Sequence, residues 1–339
     1  MKKTNENKKA SIILKIVRAV LICVVVIALA VFGLYKLVTH QWQDEPETYP
    51  STNQYITELG DTMVSAHRAG KNLFPQGTMM AFEGCINSET FKTDIFEFDV
   101  HLTADEKLII LHDHTLDGIT DSAEYFGKEE NYPEEYTYEE IYNLNFGEHF
   151  KNENGETPYK GLRGENIPDN LRVLAVADAL DYVESNGEYY YTIEIKNEGE
   201  LGLKAADILY DILSERNLLG RTIVASFNEE VILHIEENYP DIVRSASFTE
   251  AAKLYVDSLF GIDRPEGYYK FRVLQIPPDK YVVNLGTSKF INHAHKNNVA
   301  VQYWTINDVD KMLFLQSIGT DGIITDIPDV AYEVLKTQN

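Results

Sequence analysis

The sequence predicts an α/β protein, a (β/α)8 TIM barrel with an insertion after the third strand, preceded by one N-terminal transmembrane helix. Strand-like and helix-like segments alternate as about eight β–α units, which is the pattern of such barrels. Polar residues capable of chemistry stand where several of these strands end, as they do in barrel enzymes. An uncharged apolar run precedes the alternation. A doubly wound open sheet would show the same alternation and is the alternative.

The apolar run extends from Ala19 to Tyr35 and carries no charge. About 17–22 residues suffice for a helix to cross a bilayer. Six Lys or Arg residues precede the run, and Lys36 is the only near cation after it, so the positive-inside rule leaves the N-terminus in the cytoplasm. A cleaved signal peptide is the alternative. We therefore predict a single-pass protein of the cell membrane with four parts: a cytoplasmic basic tail (1–18), a transmembrane anchor (19–36), an extracellular stalk (37–58) and an extracellular barrel (59–339).

Charge and cysteine content restrict the possible partners. Residues 1–40 carry seven Lys or Arg and one acid, a net of +6, and since the whole chain carries −24, the remaining residues carry −30. Such a surface repels nucleic acid, so we expect no nucleic-acid partner. With only two cysteines, Cys23 and Cys85, we expect no disulfide framework, and the hydrophobic core must stabilise the exported domain.

Period-two alternation marks the strands, and apolar residues three to four apart mark the helices. In chain order, the strand candidates are Met63–His67, Ile95–Leu102, Leu108–His112, Tyr189–Lys196, Thr222–Ser226, Ile242–Ala246, Tyr281–Asn284, Val299–Trp304 and Gly322–Thr325. Between them lie the helix candidates Thr78–Ser88, Val173–Glu184, Leu201–Arg216, Glu229–Glu237, Glu250–Ser258, Ser288–Lys296 and Val309–Ile318.

One segment, about 117–170, interrupts this alternation. It is acidic, rich in Tyr, Asn and Gly, and too long for a plain βα loop. The run from Tyr136 to Leu144 suggests one short helix inside it. Because the segment follows His112, it would overhang the barrel mouth, either as a substrate lid or as a variable surface excursion.

The second strand candidate carries a carboxylate pair. In Phe96-Glu97-Phe98-Asp99-Val100 the alternation places Glu97 and Asp99 on one face. The next candidate ends on His112, and its residues would converge with the pair if the two strands were parallel neighbours. Hard divalent cations prefer such carboxylates, and a histidine can move protons near neutral pH. Ordinary surface charges on a solvent-facing strand are the alternative.

Three other candidate sites follow strands. His67-Arg68 ends the first strand, where Arg offers a bidentate fork to phosphate oxygens. On a later strand Glu194 and Lys196 share a face, and burial of both requires partners. Trp304 ends another strand and could line a pocket or be simply core.

Taken together, these motifs resemble the glycerophosphodiester phosphodiesterase family over about residues 62–335. The matching motifs are His-Arg after the first strand, Glu-x-Asp on the second, Thr-x-Asp leading to His-Asp on the third, Glu-x-Lys, Ser226-Phe227, the Trp-Thr-x-Asn run and the closing Asp-Gly-Ile-Ile-Thr-Asp-x-Pro. Each motif is weak alone, but their order and spacing make the resemblance strong.

The resemblance implies an enzyme that cleaves phosphodiesters of glycerol with one divalent cation, Ca2+ or Mg2+. It implies an attack of the glycerol 2-hydroxyl on phosphorus, giving a cyclic phosphate that water opens. By motif position the metal ligands would be Glu97, Asp99 and Glu194, the acid–base pair His67 and His112, and the phosphate-binding residues Arg68 and Lys196.

The chain departs from the family pattern twice. Gln76-Gly77 replaces the usual Glu-Asn after Pro75, and Ala69 replaces the Gly after His-Arg. We expect the lost carboxylate to support the site rather than ligate, so that activity is altered rather than abolished. Two further functions stay open: a lysophospholipase D acting on membrane lysolipids, and a non-catalytic module that binds glycerophosphate polymers.

Overall fold

The computed structural model describes residues 2–40, 45–280 and 283–337. Within these ranges the strands, numbered in chain order, are β1 (Met63–Ala66), β2 (Ile95–Leu102), β3 (Leu108–Ile110), β4 (Tyr190–Ile195), β5 (Thr222–Ala225), β6 (Val243–Arg244), β7 (Val273–Ile276), β8 (Asp279–Lys280), β9 (Val283–Asn284), β10 (Ala300–Tyr303) and β11 (Gly322–Thr325). The helices are α1 (Lys2–Thr39), α2 (Met79–Ile86), α3 (Ser122–Phe126), α4 (Tyr138–Tyr142), α5 (Val176–Glu184), α6 (Gly199–Glu215), α7 (Glu229–Asn238), α8 (Phe248–Phe260), α9 (Ser288–Lys296), α10 (Val309–Ser317) and α11 (Pro328–Lys336).

Eight parallel strands form the predicted barrel. Their order is β6-β5-β4-β2-β1-β11-β10-β7, and a parallel bridge between Ser245 and Val273 brings the two ends of this sheet together. In a parallel barrel all strand ends of one kind meet at one rim, so the residues that follow the strands share the barrel mouth. The fold class predicted from the alternation is confirmed.

The third strand candidate does not join the barrel. β3 pairs with β2 antiparallel, with Val100 opposite Ile110 and Leu102 opposite Leu108. The expectation that the two are parallel neighbours was wrong, because a period-two pattern does not reveal strand direction. The turn at Thr103–Lys107 is tight, with Glu106 in the left-handed conformation (φ 62°), and it folds β3 straight back along β2.

One barrel strand was missed. β7 is only four residues long and includes the polar Gln275, so it gave little strand signal, although Pro277-Pro278 mark its end. The candidate Tyr281–Asn284 lies partly outside the described residues. Its described part, β9, pairs antiparallel with β8, which follows the mouth end of β7.

The segment before the barrel packs across the barrel floor. Tyr55 is 1% exposed and sits in a small cluster with Ile223, Val273 and Ala300. Its ring meets Tyr190 edge-on, with centroids 5.4 Å apart. The Thr57 amide donates to Asp321 Oδ1 at 2.9 Å. The later part of the predicted stalk therefore closes the end of the barrel opposite the mouth.

The insertion, about 117–170, contributes to a small hydrophobic cluster that is separate from the main core. Ile141, Leu144 and Phe146 are buried against Ile109 and Leu111. The predicted short helix is α4, which begins with a Thr137–Glu140 capping box.

Helix α1 contains one stretch, Lys15–Thr39, that is long and apolar enough to cross a membrane. In the structure no residue of this stretch is buried. Both cysteines are free, with Cys23 exposed on this helix and Cys85 buried.

Candidate active site

Strands β2 and β4 bring the predicted carboxylates together at the mouth. Asp99 stands opposite Glu194 in the parallel register, and Glu97 opposite Thr192. Both β2 carboxylates are nearly inaccessible, with Glu97 6% and Asp99 2% exposed. The face that Glu97 and Asp99 share therefore points into the barrel and not toward solvent.

Lys196 supplies the positive charge among these carboxylates. Its Nζ lies 2.8 Å from Asp99 Oδ1 and 2.6 Å from Glu194 Oε1. Burial lowers the pKa of Lys196, but the two carboxylates outweigh it and the net change is upward. Burial, then the charge of Asp99, raises the pKa of Glu97 well above its ordinary value, and the same two causes raise the pKa of Glu194.

These carboxylates have an unmet need for positive charge. Within the described ranges, no three His, Cys, Asp or Glu side chains are arranged closely enough to hold a metal as they stand. Yet Asp99 Oδ2 is buried with no hydrogen-bond partner among the described residues. Burial and, after it, the charge of Asp99 raise the pKa values of Glu97 and Glu194 by more than the nearby Lys196 lowers them. All donors are hard oxygens, so the set fits a divalent cation of the Ca2+ or Mg2+ type.

His67 leaves β1 directly beside Glu97. Its Nδ1 lies 2.6 Å from Asp326 Oδ1, and its Nε2 lies 3.9 Å from Glu97 Oε2. Asp326 also accepts from Asn307 Nδ2 at 2.9 Å. Burial raises the pKa of Asp326, but the hydrogen bond and charge of His67 outweigh it and bring the pKa to about 2. An ionised Asp326 therefore fixes one ring nitrogen and leaves Nε2 to face the site.

The loop after His67 adopts an unusual backbone. Arg68 and Ala69 have φ of 51° and 60°, a left-handed conformation that costs a residue with a Cβ about 1–2 kcal/mol. Ala69 occupies the place of the family glycine, and this conformation accounts for that glycine. In return, the Arg68 amide donates to Glu97 Oε2 at 2.8 Å.

The same loop orients the Arg68 guanidinium. Its Nη1 donates to Gln76 Oε1 at 2.8 Å, so the residue that departs from the family pattern is a direct partner of the predicted phosphate-binding arginine. Arg68 Nε is buried and has no acceptor among the described residues. Arg68 lines a small cavity of about 10 Å³ together with Gln76, Asp99, His112 and Ile119.

His112 reaches the site from the opposite direction. Because β3 runs back along β2, the Leu111 amide donates to the Asp99 carbonyl at 2.9 Å. His112 therefore follows at the level of the carboxylates, as predicted, although by an antiparallel hairpin. Its Nδ1 lies 2.8 Å from Asp113 Oδ1, and this hydrogen bond from His112 lowers the pKa of Asp113.

Trp304 directly follows β10 at the barrel mouth. Its ring meets Phe227 edge-on, with centroids 6.2 Å apart, and Lys196 Nζ lies 5.9 Å from the Phe227 ring. Phe227 is 72% exposed, so an aromatic surface adjoins the charged centre.

The structure adds residues for which the sequence gave no role. Asp326 and Asn307 stand within motifs already noticed, but Asp326 contacts His67 from 259 residues away, and Asn307 in turn bonds to Asp326. His101 continues the inward row of Glu97 and Asp99. Its side chain is 2% exposed, and neither ring nitrogen has a hydrogen-bond partner among the described residues. Burial, followed by the neighbouring His114, lowers the pKa of His101 to about 4.

Comparison with known proteins identifies the family. The model of the glycerophosphoryl diester phosphodiesterase family matches residues 67–330. The chain is 26% identical to a glycerophosphodiester phosphodiesterase of Bacillus altitudinis over 277 residues, covering 80% of this chain and 98% of the relative. It is 30% identical to the Haemophilus influenzae enzyme of that name, covering 84% and 93%. A phosphodiesterase of Oleispira antarctica, solved with its product sn-glycerol-3-phosphate, superposes with a TM-score of 0.59 at 18% identity over 80% of this chain and 96% of that one.

The barrel fold and the family match over most of the chain agree. The protein belongs to the glycerophosphoryl diester phosphodiesterase family and is a phosphoric diester hydrolase.

Proposed function

We propose that the chain is a membrane-anchored enzyme that hydrolyses glycerophosphodiesters to glycerol phosphate and an alcohol outside the cell membrane. The observation that carries the proposal is a pair of buried, unpaired atoms at one cavity. Arg68 Nε is a donor without an acceptor, and Asp99 Oδ2 is an acceptor without a donor, among the described residues. An anionic phosphate would give Arg68 Nε an acceptor, and a cation would neutralise Asp99.

The cation site would consist of Glu97, Asp99 and Glu194. A bound Ca2+ or Mg2+ would neutralise charge on the phosphoryl oxygens. Arg68, held by Gln76, would bind a phosphate oxygen through its free donors. Lys196 would supply a second positive charge next to the same carboxylates.

The two histidines would divide the proton transfers. Each has Nδ1 bonded to an aspartate, His67 to Asp326 and His112 to Asp113, so each presents Nε2. One ring takes the proton of the glycerol 2-hydroxyl as its oxygen bonds to phosphorus. The other gives a proton to the departing alcohol oxygen as the P–O bond breaks, and the roles reverse when water opens the cyclic phosphate.

Product analysis of the purified chain with sn-glycero-3-phosphocholine tests this function. We expect sn-glycerol-3-phosphate and choline, activity lost in excess chelator, and restoration by Ca2+ or Mg2+. Replacing His67 or His112 by Ala should lower kcat by at least about 10²-fold while the barrel still folds. Full activity in excess chelator would refute the cation site, and rapid cleavage of a 2-deoxy substrate would refute the cyclic phosphate.

A direct binding measurement separates the metal site from turnover. Asp99→Asn should weaken Ca2+ or Mg2+ binding in isothermal titration calorimetry because it removes a carboxylate with a free oxygen. Asp113→Asn is the matched control, since it makes the same change beside His112 without touching the proposed ligands. Equal cation affinity in the two variants and the wild type would contradict the assignment.

A lysophospholipase D activity is the second candidate. The observation that favours it is the exposed Phe227 beside Trp304, which offers an apolar surface to an acyl chain. Comparing lysophosphatidylcholine with its deacylated head group as substrates would decide between the two.

A further inference from the structure

Helix α8 carries an exposed apolar ridge along its full length. Phe248, Val256 and Phe260 are 82%, 46% and 62% exposed, and the exposed Ala252 completes a row with a spacing of four residues. Side chains four apart form one continuous ridge on a helix. In a soluble domain, large apolar side chains aligned in this way mark an interaction surface.

The anchor helix ends beside this ridge. Tyr255, on the flank of α8, donates through its hydroxyl to the Val38 carbonyl at 3.4 Å, one residue before α1 ends at Thr39. The end of α1 also lies against β9. The apolar stretch Lys15–Thr39 has 25 residues, which exceeds the about 20 needed to cross the hydrocarbon core. With α1 in a bilayer, Thr39 lies at the membrane surface, and so does the middle of α8.

Both ends of the ridge are close to the contact with α1. Phe248 is seven residues before Tyr255 and Phe260 is five residues after it, so at a rise of 1.5 Å per residue both lie within about 10 Å of it along the axis.

Charge on α8 is compatible with this position. Residues 41–339 carry −30 overall, but the two acids of α8 are both paired. Glu250 bonds to Arg244, and Asp257 bonds to Arg264 and Tyr269. Lys253 is exposed next to the ridge, with its Nζ 4.5 Å from the Tyr268 ring. The apolar ridge therefore has a cation beside it and no unpaired acid on α8 that would oppose contact with a phospholipid surface.

We propose that the α8 ridge docks on the outer phospholipid surface of the membrane that holds α1. The proposal rests on the anchoring proposed above. α8 begins where β6 ends, at the mouth, and descends the side of the barrel. Docking along α8 therefore lays the barrel on its side, with the mouth opening along the membrane and not toward it.

Lipid-borne quenchers test the contact in the full chain. The cysteine variant Val256→Cys, made with Cys23→Ser and labelled with an environment-sensitive fluorophore, is reconstituted in phosphatidylcholine vesicles that contain a doxyl-labelled lipid. Cys85 is 3% exposed and burial raises the pKa of its thiol to about 12, so it does not label in the native protein. Leu233→Cys is the matched control, because Leu233 is an apolar residue 52% exposed on α7.

The expected result is several-fold stronger doxyl quenching at position 256 than at 233, lost when Phe248→Glu and Phe260→Glu are added. Equal quenching at the two positions overturns the proposal. Protection of the position-256 probe from iodide without doxyl quenching also overturns it, because a second protein copy would then cover the ridge. Hydrolysis of sn-glycero-3-phosphocholine and resistance to carbonate extraction, measured on the same vesicles, show independently whether the enzyme and the anchor are as proposed.

Discussion

Asp326→Asn is the sharpest test of how the site controls a proton. Asn307 Oδ1 accepts from the Asp326 amide at 2.9 Å and from Thr325 Oγ1 at 3.0 Å. The Asn307 amide group is therefore fixed, and its Nδ2 must face side chain 326. The substituted Asn would turn its oxygen to Asn307 and its NH2 to His67. His67 Nδ1 would then have to accept, so Nε2 would carry the proton and could not take one from a substrate.

The magnitudes follow from the same contacts. Asp326 has a pKa of about 2 against an ordinary 3.8, which corresponds to about 2 kcal/mol of native-state preference for the carboxylate. Because the folded pKa is the lower one, this stability is present above about pH 4 and is lost as the pH falls toward 2. We expect Asp326→Asn to unfold at lower urea than wild type at pH 7, with the gap narrowing below pH 4. We expect kcat to fall by at least about 10²-fold, the effect of losing a positioned base.

A matched control lies at the opposite end of the barrel. His295 Nε2 lies 2.8 Å from Asp321 Oδ2 near the barrel floor, so Asp321→Asn makes the same change in a buried pair remote from the substrate. It should destabilise the protein without lowering kcat or shifting the pH–rate profile. If Asp326→Asn lost stability but kept kcat and its pH profile, or if Asp321→Asn changed them equally, the positioning role of Asp326 would be refuted.

Three further changes probe other contacts. Gln76→Glu places a carboxylate next to the Arg68 guanidinium. We expect sn-glycerol-3-phosphate to bind about tenfold more weakly in calorimetry, which corresponds to about 1.4 kcal/mol of repulsion. Unchanged affinity would contradict a phosphate-binding role for Arg68. Gly70→Ala should lower the free energy of unfolding in urea by about 2 kcal/mol, because φ at this position is 99° and the added Cβ would lie 2.8 Å from Cys85 Sγ. Adding Cys85→Ala should recover part of this loss, and no recovery would mean that the clash is not the cause. Tyr55→Ala should cost about 3 kcal/mol because it empties a buried aromatic site, and an unchanged urea midpoint would show that the floor does not need this ring.

Sequence reasoning predicted the carboxylate centre well because the period of a strand determines which residues share a face. Glu97, Asp99, Glu194 and Lys196 meet for this reason. The position of His112 close to these carboxylates was also predicted. The direction of its strand was not, since parallel and antiparallel neighbours show the same alternation.

Other features depend on contacts that no local pattern reveals. Asp326 meets His67 across 259 residues, and each motif alone gave no hint of the pair. Strand β7 is four residues with one polar member, so its identity depends on its barrel neighbours. Gln76 orients Arg68 only because the loop folds back and brings the two side chains into contact, and the sequence alone does not show that contact.

In the membrane-anchored enzyme proposed above, the segment that carries Tyr55 and Thr57 across the barrel floor determines what a protease would release. A protease that cut between Thr39 and Glu45 would shed a domain that keeps Tyr55 in its slot and Thr57 on Asp321. A cut near residue 59 would shed a barrel with an open floor and an exposed apolar slot. The position of cleavage would thus decide whether the shed product is a diffusible enzyme or a substrate for degradation.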